Sequence, residues 1–308
     1  MFMLFDFRHL PQDGDNRPRD VRILAMTRNT TGGAQASPPE LISPATARNR
    51  ALASMILPPA LALLAGLLSG SLLAPTPAGA LPNVAPVFAA LGVAAWFIGL
   101  RFYGLRGLAL RGGRPLFAGI GFAVLVWVAA LIGRFLPMLP QASFNEIGQA
   151  VVEITLHVPV IAYRSAGAGR AIAYLLLFEA FATQLWAFGL VFRALAGWRG
   201  GLTAAVVAGV LFGGIGYLLF RESFVPGWPS LLYFLSWGIV YGMIRLRTGS
   251  ILGPILIQAL QSFTVWFVLQ PPDDITRTGI ETVYLVVAVL LAVITWRLWP
   301  RRETDYRV

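Results

Sequence analysis

Apolar residues gather along this chain in long blocks separated by short polar stretches. After a polar stretch to residue 54, eight apolar runs follow, at about 55 to 74, 86 to 104, 115 to 133, 171 to 192, 202 to 220, 230 to 246, 250 to 270 and 280 to 299. Each is near the roughly 20 residues that a hydrocarbon core demands of a helix, the element that satisfies its own backbone groups inside a bilayer. The pattern predicts an all-α fold, a polytopic membrane helix bundle of about eight transmembrane helices. One further stretch, GQAVVEITLHVPVIAY at 148–163, is apolar but short, and Glu153, His157 and Pro159 interrupt it. Counting it as a ninth span would put the four-Arg loop at 101–114 outside. It is therefore expected to lie in the membrane plane or to re-enter from the outer face, where its polar residues meet water.

This reading divides the chain into a polar, mostly disordered cytoplasmic tail at 1–54, three spans plus the in-plane segment at 55–170, a five-span core at 171–299, and a cytoplasmic tail at 300–308. The N-terminal tail contains Gly/Pro/Ser-rich stretches such as TTGGAQASPPE, which bury too little apolar surface to fold alone. It lacks the short basic region, apolar core and small-residue cleavage site of a signal peptide, so the first apolar segment is expected to remain as a signal anchor.

Composition agrees, with 57% hydrophobic and 12% charged residues, where soluble domains carry about 25% charged. A soluble globular protein is excluded. The absence of cysteine removes disulfides, thiolate nucleophiles and cysteine-based zinc sites. All 24 basic residues are Arg, which removes Schiff-base chemistry and a P-loop lysine. The net charge of +10 resolves into topology: with both termini inside, 19 of the 24 Arg fall on the cytoplasmic side, leaving Arg134, Arg164, Arg170, Arg221 and Arg277 outside. The expected partners are membrane lipids and other integral membrane subunits, with no nucleic acid. Abundant Ala, Gly, Arg and Pro without Lys fits a GC-rich bacterial genome, and so a multi-pass protein of the plasma (inner) membrane.

Charged side chains inside spans are functional suspects, because burying one in hydrocarbon costs at least about 2.5 to 3.5 kcal/mol. Glu179 sits near the middle of the 171–192 run. Thr183 lies four residues on and shares its helical face, with Gln184 close by. Two readings stand side by side: a protonated Glu hydrogen-bonded to a neighbouring helix, or a functional carboxylate. Gln258, Gln261 and Ser262 form a second polar patch at helical spacing, of the kind that joins helices through side-chain hydrogen bonds. Gly209, Gly213, Gly214 and Gly216 permit close backbone approach. His9 lies in the polar tail, and His157, four residues after Glu153, reads as an interfacial hydrogen-bonded pair rather than a metal site. With no second membrane-embedded His, nothing resembles a Ser/His/Asp arrangement.

From residue 171 onward the order of features resembles the CPBP family of intramembrane metalloproteases, the CAAX-protease and bacteriocin-processing or Abi family. The segments that carry the resemblance are TQLWAFGLV with its Arg-bearing loop, FGGIG, and YGMIRLRTGSILGPILIQALQSF. The family places three motifs on successive helices: Glu-Glu-x-x-x-Arg, Phe-x-x-x-His, and His-x-x-x-Asn or Asp. Laid on this chain, the glutamates fall on Thr183 and Gln184 and the arginine on Phe188, with Gly189 kept. The second motif keeps Phe212, but its histidine position is Gly216. In the third the histidine becomes Gln258 and the Asn/Asp becomes Ser262.

The resemblance thus implies a CPBP-like fold whose motif residues are absent. A catalytic zinc needs about three His or carboxylate ligands and a bound water. Hydroxyls, amides, a phenyl ring and a glycine hydrogen supply none, so no catalytic residue, metal or cofactor is expected. The emptied scaffold resembles the situation of a structural subunit of gamma-secretase, a distant relative. The leading expectation is a non-catalytic, CPBP-like pseudoprotease acting as scaffold or accessory subunit that binds partner helices or lipids. Two alternatives stay open: a metal-dependent intramembrane endopeptidase with a reshaped site using Glu179 and His157, and a transporter or lipid-handling protein. The latter would use a vacated cavity lined by Glu179, Thr183, Gln184, Gln258 and Gln261.

Overall fold

The first helix is set by its cap. The Ser43 hydroxyl accepts the Thr46 N–H at 3.2 Å, and Pro44 occupies the first helical position, where no donor is needed. In this computed structural model, which describes residues 43–70, 85–135, 174–220, 227–263, 277–302 and 306, helix α1 therefore runs Pro44–Leu68. It begins earlier than the expected 55, because the polar ATARNR segment is made of residues that a capped helix accepts readily. Then follow α2 (Ala85–Gly107), α3 (Arg114–Phe135), α4 (175–199), α5 (Gly201–Phe220), α6 (Trp228–Thr248), α7 (Leu252–Phe263) and α8 (Arg277–Leu298). The described residues contain no strand. The segment expected at 148–163, with Glu153 and His157, lies outside the described residues, as do His9 and the rest of the chain before residue 43.

The protein is an all-helical, polytopic bundle. Among the described residues, six helices are long and apolar enough to cross a membrane: Pro44–Leu68, Ala85–Leu105, Arg114–Gly133, Phe178–Arg199, Gly201–Leu218 and Gly279–Leu298. The expected runs at 230–246 and 250–270 do form helices, but these do not meet that measure. Ser230, Ser236, Arg245 and Arg247 dilute the apolar character of α6, and the described part of α7 has 12 residues.

Helix α4 is the axis. Of the apolar window in Phe178–Arg199, 78% is buried inside the protein, against 22 to 44% for the other five. Helices α1, α2, α5 and α7 pack against it. Small residues let the backbones close up: a Cβ on Gly209 would lie 2.7 Å from the Gly238 carbonyl oxygen, and one on Gly92 would lie 3.1 Å from the Ala182 Cβ. Of the four glycines singled out in α5, Gly209 and Gly213 meet the α6 backbone and Gly216 meets the Phe234 ring, whereas Gly214 meets nothing within 4 Å. The Gly249 turn (φ 73°) ends α6, its N–H donating to the Arg245 carbonyl at 2.9 Å.

Two irregularities free backbone carbonyls in apolar surroundings, where an unsatisfied group is costly. Pro58 has no N–H to give to the Ser54 carbonyl four residues back. The Trp186 indole N–H of α4 donates there at 3.1 Å. Within α4, Leu175–Ala180 and Leu185–Val191 are wound as π-helix, separated by the α-helical Phe181–Gln184. The Phe192 N–H consequently donates to the Ala187 carbonyl, one residue beyond its α-helical partner Phe188. The Arg245 Nε of α6 donates to the Phe188 carbonyl at 3.2 Å.

The Ser54–Trp186 pairing makes a double-mutant prediction. Trp186→Phe costs about 1 to 3 kcal/mol by orphaning the Ser54 carbonyl. On a Pro58→Ala background, where the new backbone N–H restores the helical bond, the same change costs distinctly less. Thermal unfolding of the four proteins in detergent gives the coupling.

Candidate functional site

The positions aligned with the three motifs come together where α4, α5 and α7 meet around the middle of α4. Helix α4 brings Glu179, Thr183, Gln184 and Phe188; α5 brings Phe212 and Gly216; α7 brings Gln258, Gln261 and Ser262. Glu179, Thr183, Gln184, Gln258, Gln261 and Ser262 are all buried polar residues. The spacing of three or four along α4 and α7 turns these groups to one side of each helix, and the crossing of the two helices sets them face to face.

A chain of hydrogen bonds joins them. Gln184 Nε2 donates to Gln258 Oε1 at 2.7 Å, Gln258 Nε2 donates to Thr183 Oγ1 at 3.2 Å, and Thr183 Oγ1 donates back to the Glu179 carbonyl at 2.7 Å. The Ser262 hydroxyl donates to Glu179 Oε1 at 2.8 Å. Thus Glu179 does have a hydrogen-bonding partner on a neighbouring helix, a serine that no spacing rule links to it in sequence.

The aromatic half is as closed as the polar half. Phe188 occupies the arginine position of the first motif and packs on Phe212 at 5.3 Å between ring centroids. Phe212 in turn meets Trp237 at 5.3 Å and Tyr241 at 5.9 Å, both from α6. Among the described residues, a cavity of about 10 Å³ lies here, lined by Phe88, Glu179, Thr183, Trp186, Phe212, Ile215, Gly216, Trp237 and Gln258. That is room for about one water.

The expected five-residue polar cavity is therefore reduced to three members. Gln184 turns to Gln258, and Gln261 Nε2 turns away to donate to the Tyr233 hydroxyl at 3.3 Å. Trp186 and Phe188 are the side chains expected to fill such a cavity, whereas Trp237 and Tyr241 enter no sequence reading of the site, although they pack against Phe212 there. The signal for them was present: Trp237 and Tyr241 are spaced four apart on α6, one face of a helix that runs beside α5.

Zinc does not fit these residues. Among the described residues no three His, Cys, Asp or Glu gather. The centre supplies one carboxylate with a serine on it, two amides engaged with each other, and hydroxyls, none of which replaces the strong ligands the metal needs.

Two substitutions separate network from plug. Ser262→Ala lowers stability by about 1 kcal/mol, the scale of a side-chain hydrogen bond between membrane helices. Phe188→Arg, which restores the family's residue, costs more than about 2.5 kcal/mol, because it puts a guanidinium among aromatic rings with no carboxylate at positions 183 and 184. Thermal unfolding in detergent ranks the two.

Residues 167–264 match the family model described as Rce1-like, type II CAAX prenyl endopeptidase Rce1-like. The match runs across α4 to α7 and takes in every motif-aligned position. No curated protein and no solved structure matches the chain significantly. Residues 167–264 are thus similar to the CPBP/CAAX protease family, with other residues standing at that family's motif positions.

Proposed function

We propose that this chain is a non-catalytic CPBP-like integral membrane protein that acts as a scaffold or accessory subunit and binds partner helices or lipids. The observation that carries the reading is the closed centre. Where the resemblance places metal, activated water and a carboxylate-orienting arginine, this chain has an amide–hydroxyl network and stacked aromatic rings around about 10 Å³. One water's volume holds no extended peptide. The same volume disfavours a solute path through the vacated centre. Glu179, the carboxylate on which a reshaped protease would depend, accepts a hydrogen bond from Ser262 inside the bundle.

The outer helices support the binding half of the proposal. α1 and α8 leave large apolar side chains outward, including Ile56, Leu64, Val289 and Trp296. Such faces suit lipid or the helices of another membrane subunit. The positive-inside rule supports a cytoplasmic Arg-rich end with both termini inside, and the abundance of Ala, Gly, Arg and Pro without Lys supports a bacterial inner membrane.

Native purification from source membranes in mild detergent tests this reading. The expected result is a stoichiometric integral membrane partner, no stoichiometric zinc, and a Glu179→Gln variant that behaves as wild type. A lone monomer carrying one zinc, and losing a cleavage activity on Glu179→Gln, would overturn it.

A further inference from the structure

The Arg-rich end of the bundle contains a specific cluster of cations as well as a diffuse charge. Arg50 of α1 lies over the Phe102 ring of α2, 5.4 Å from its centroid. Beside Phe102, Tyr103 is close enough to feel the charges of both Arg50 and Arg193. Arg193 of α4 follows Phe192, whose ring lies 4.6 Å from the Arg245 guanidinium of α6, and four residues before it Gly189 packs on the Leu108 carbonyl, which leads into Arg111 in the turn between α2 and α3; Arg193 and Arg111 both act on the charge of Arg245. Arg193 therefore stands between two groups of cations contributed by four separate parts of the fold. The described acidic residues are Glu179, within α4 at the motif site, and Glu281, in the first turns of α8.

This gathering is held in place. The Ser250 hydroxyl donates to the Arg111 carbonyl at 2.7 Å, and the Ile251 N–H donates to the Ala109 carbonyl at 3.1 Å. Ala109 itself sits at φ 59°, a left-handed conformation that a residue with a Cβ adopts only where its surroundings impose it. Arg245 is 2% exposed, its guanidinium 4.6 Å from the Phe192 ring centroid. Like charges held together repel, and an anion placed among them relieves that repulsion. Guanidinium forks with a phenol hydroxyl at hand match the oxygens of a phosphate.

We propose that Arg50, Tyr103, Arg111 and Arg193, backed by Arg245, form a binding site for the phosphate of an anionic phospholipid headgroup. A membrane-borne phosphate is favoured over a free one because bare apolar helix continues from Arg50: Leu57 and Leu61 of α1, seven and eleven residues on and on the same face, are each 48% exposed, as an acyl chain requires. The proposal rests on the membrane-embedded reading and not on the lack of catalysis, so lipid retention and partner capture can each fail without the other.

The test uses the full chain in neutral detergent, titrated with phosphatidylglycerol or phosphatidylcholine and read by native mass spectrometry. Phosphatidylglycerol is expected to be retained in preference. The Arg50→Gln/Arg193→Gln pair is expected to weaken it roughly 25-fold, about fivefold for each arginine near a membrane surface. Arg199→Gln/Arg297→Gln, a pair outside the cluster, is expected to change retention less than about threefold. Equal losses in the two pairs, or no preference between the lipids, would overturn the site. Millimolar inorganic phosphate is expected to leave the lipid bound; phosphate that displaces it, with the same dependence on Arg50 and Arg193, overturns the lipid assignment. Should the double Gln variant not fold, Arg50→Lys/Arg193→Lys keeps the charge and loses the fork, and an intermediate loss is expected.

Discussion

A carbonyl freed inside a membrane bundle must find a donor within the protein, since hydrocarbon offers none. In this chain that constraint falls on the central helix and its neighbour. Pro58 releases the Ser54 carbonyl of α1, and the indole of Trp186 takes it up. The π-helical winding of α4 moves Phe192 N–H from Phe188 to Ala187, and Arg245 reaches the carbonyl left behind. Each donor comes from another helix, so the irregularities fix α1 and α6 against α4. Trp186 and Phe188, the residues involved on α4, flank the centre of the motif region.

At the motif positions, side-chain hydrogen bonds and ring contacts join the same helices directly. A metal would draw α4, α5 and α7 inward through shared ligands. Here Gln258 of α7 bridges Gln184 and Thr183 of α4, and Ser262 holds Glu179. On the α5 side, Phe188, at the family's arginine position, packs on Phe212, the phenylalanine that the second motif keeps. Aromatic burial of this kind is non-directional and sizeable, and it needs no charge in the low-dielectric interior. The arrangement leaves a cavity of about 10 Å³ at the centre of the region that matches the Rce1-like model.

Much of this was legible in sequence because hydrophobic length alone fixes the helices of a membrane protein. Over their described residues, the eight apolar runs all coincide with helices. The start of α1 was misplaced because a Ser cap and Pro44 extend a helix through polar residues that hydropathy discounts. Proximity of Glu179, Thr183 and Gln184 followed from spacing on one helix. The link from Glu179 to Ser262 did not, since it joins residues 83 apart. Gln261 lies next to Ser262 in sequence, yet it turns to Tyr233, a consequence of where α6 crosses that no local pattern encodes. The roles of Pro58 and Arg245 were equally hidden, because each depends on a donor or acceptor carried by a different helix.

Because the chain contains no cysteine, single cysteines report directly on whether its centre is open to water. The most direct measurement is the labelling rate of Thr183→Cys, Gly216→Cys and Gln258→Cys by a membrane-impermeant, water-soluble thiol reagent in purified, folded protein, compared with an exposed position such as Gly112→Cys. A closed centre predicts rapid labelling at 112 and labelling at the three central positions only on unfolding. Labelling at 183 and 258 as fast as at 112, in protein that retains its folded melting transition, would contradict the account.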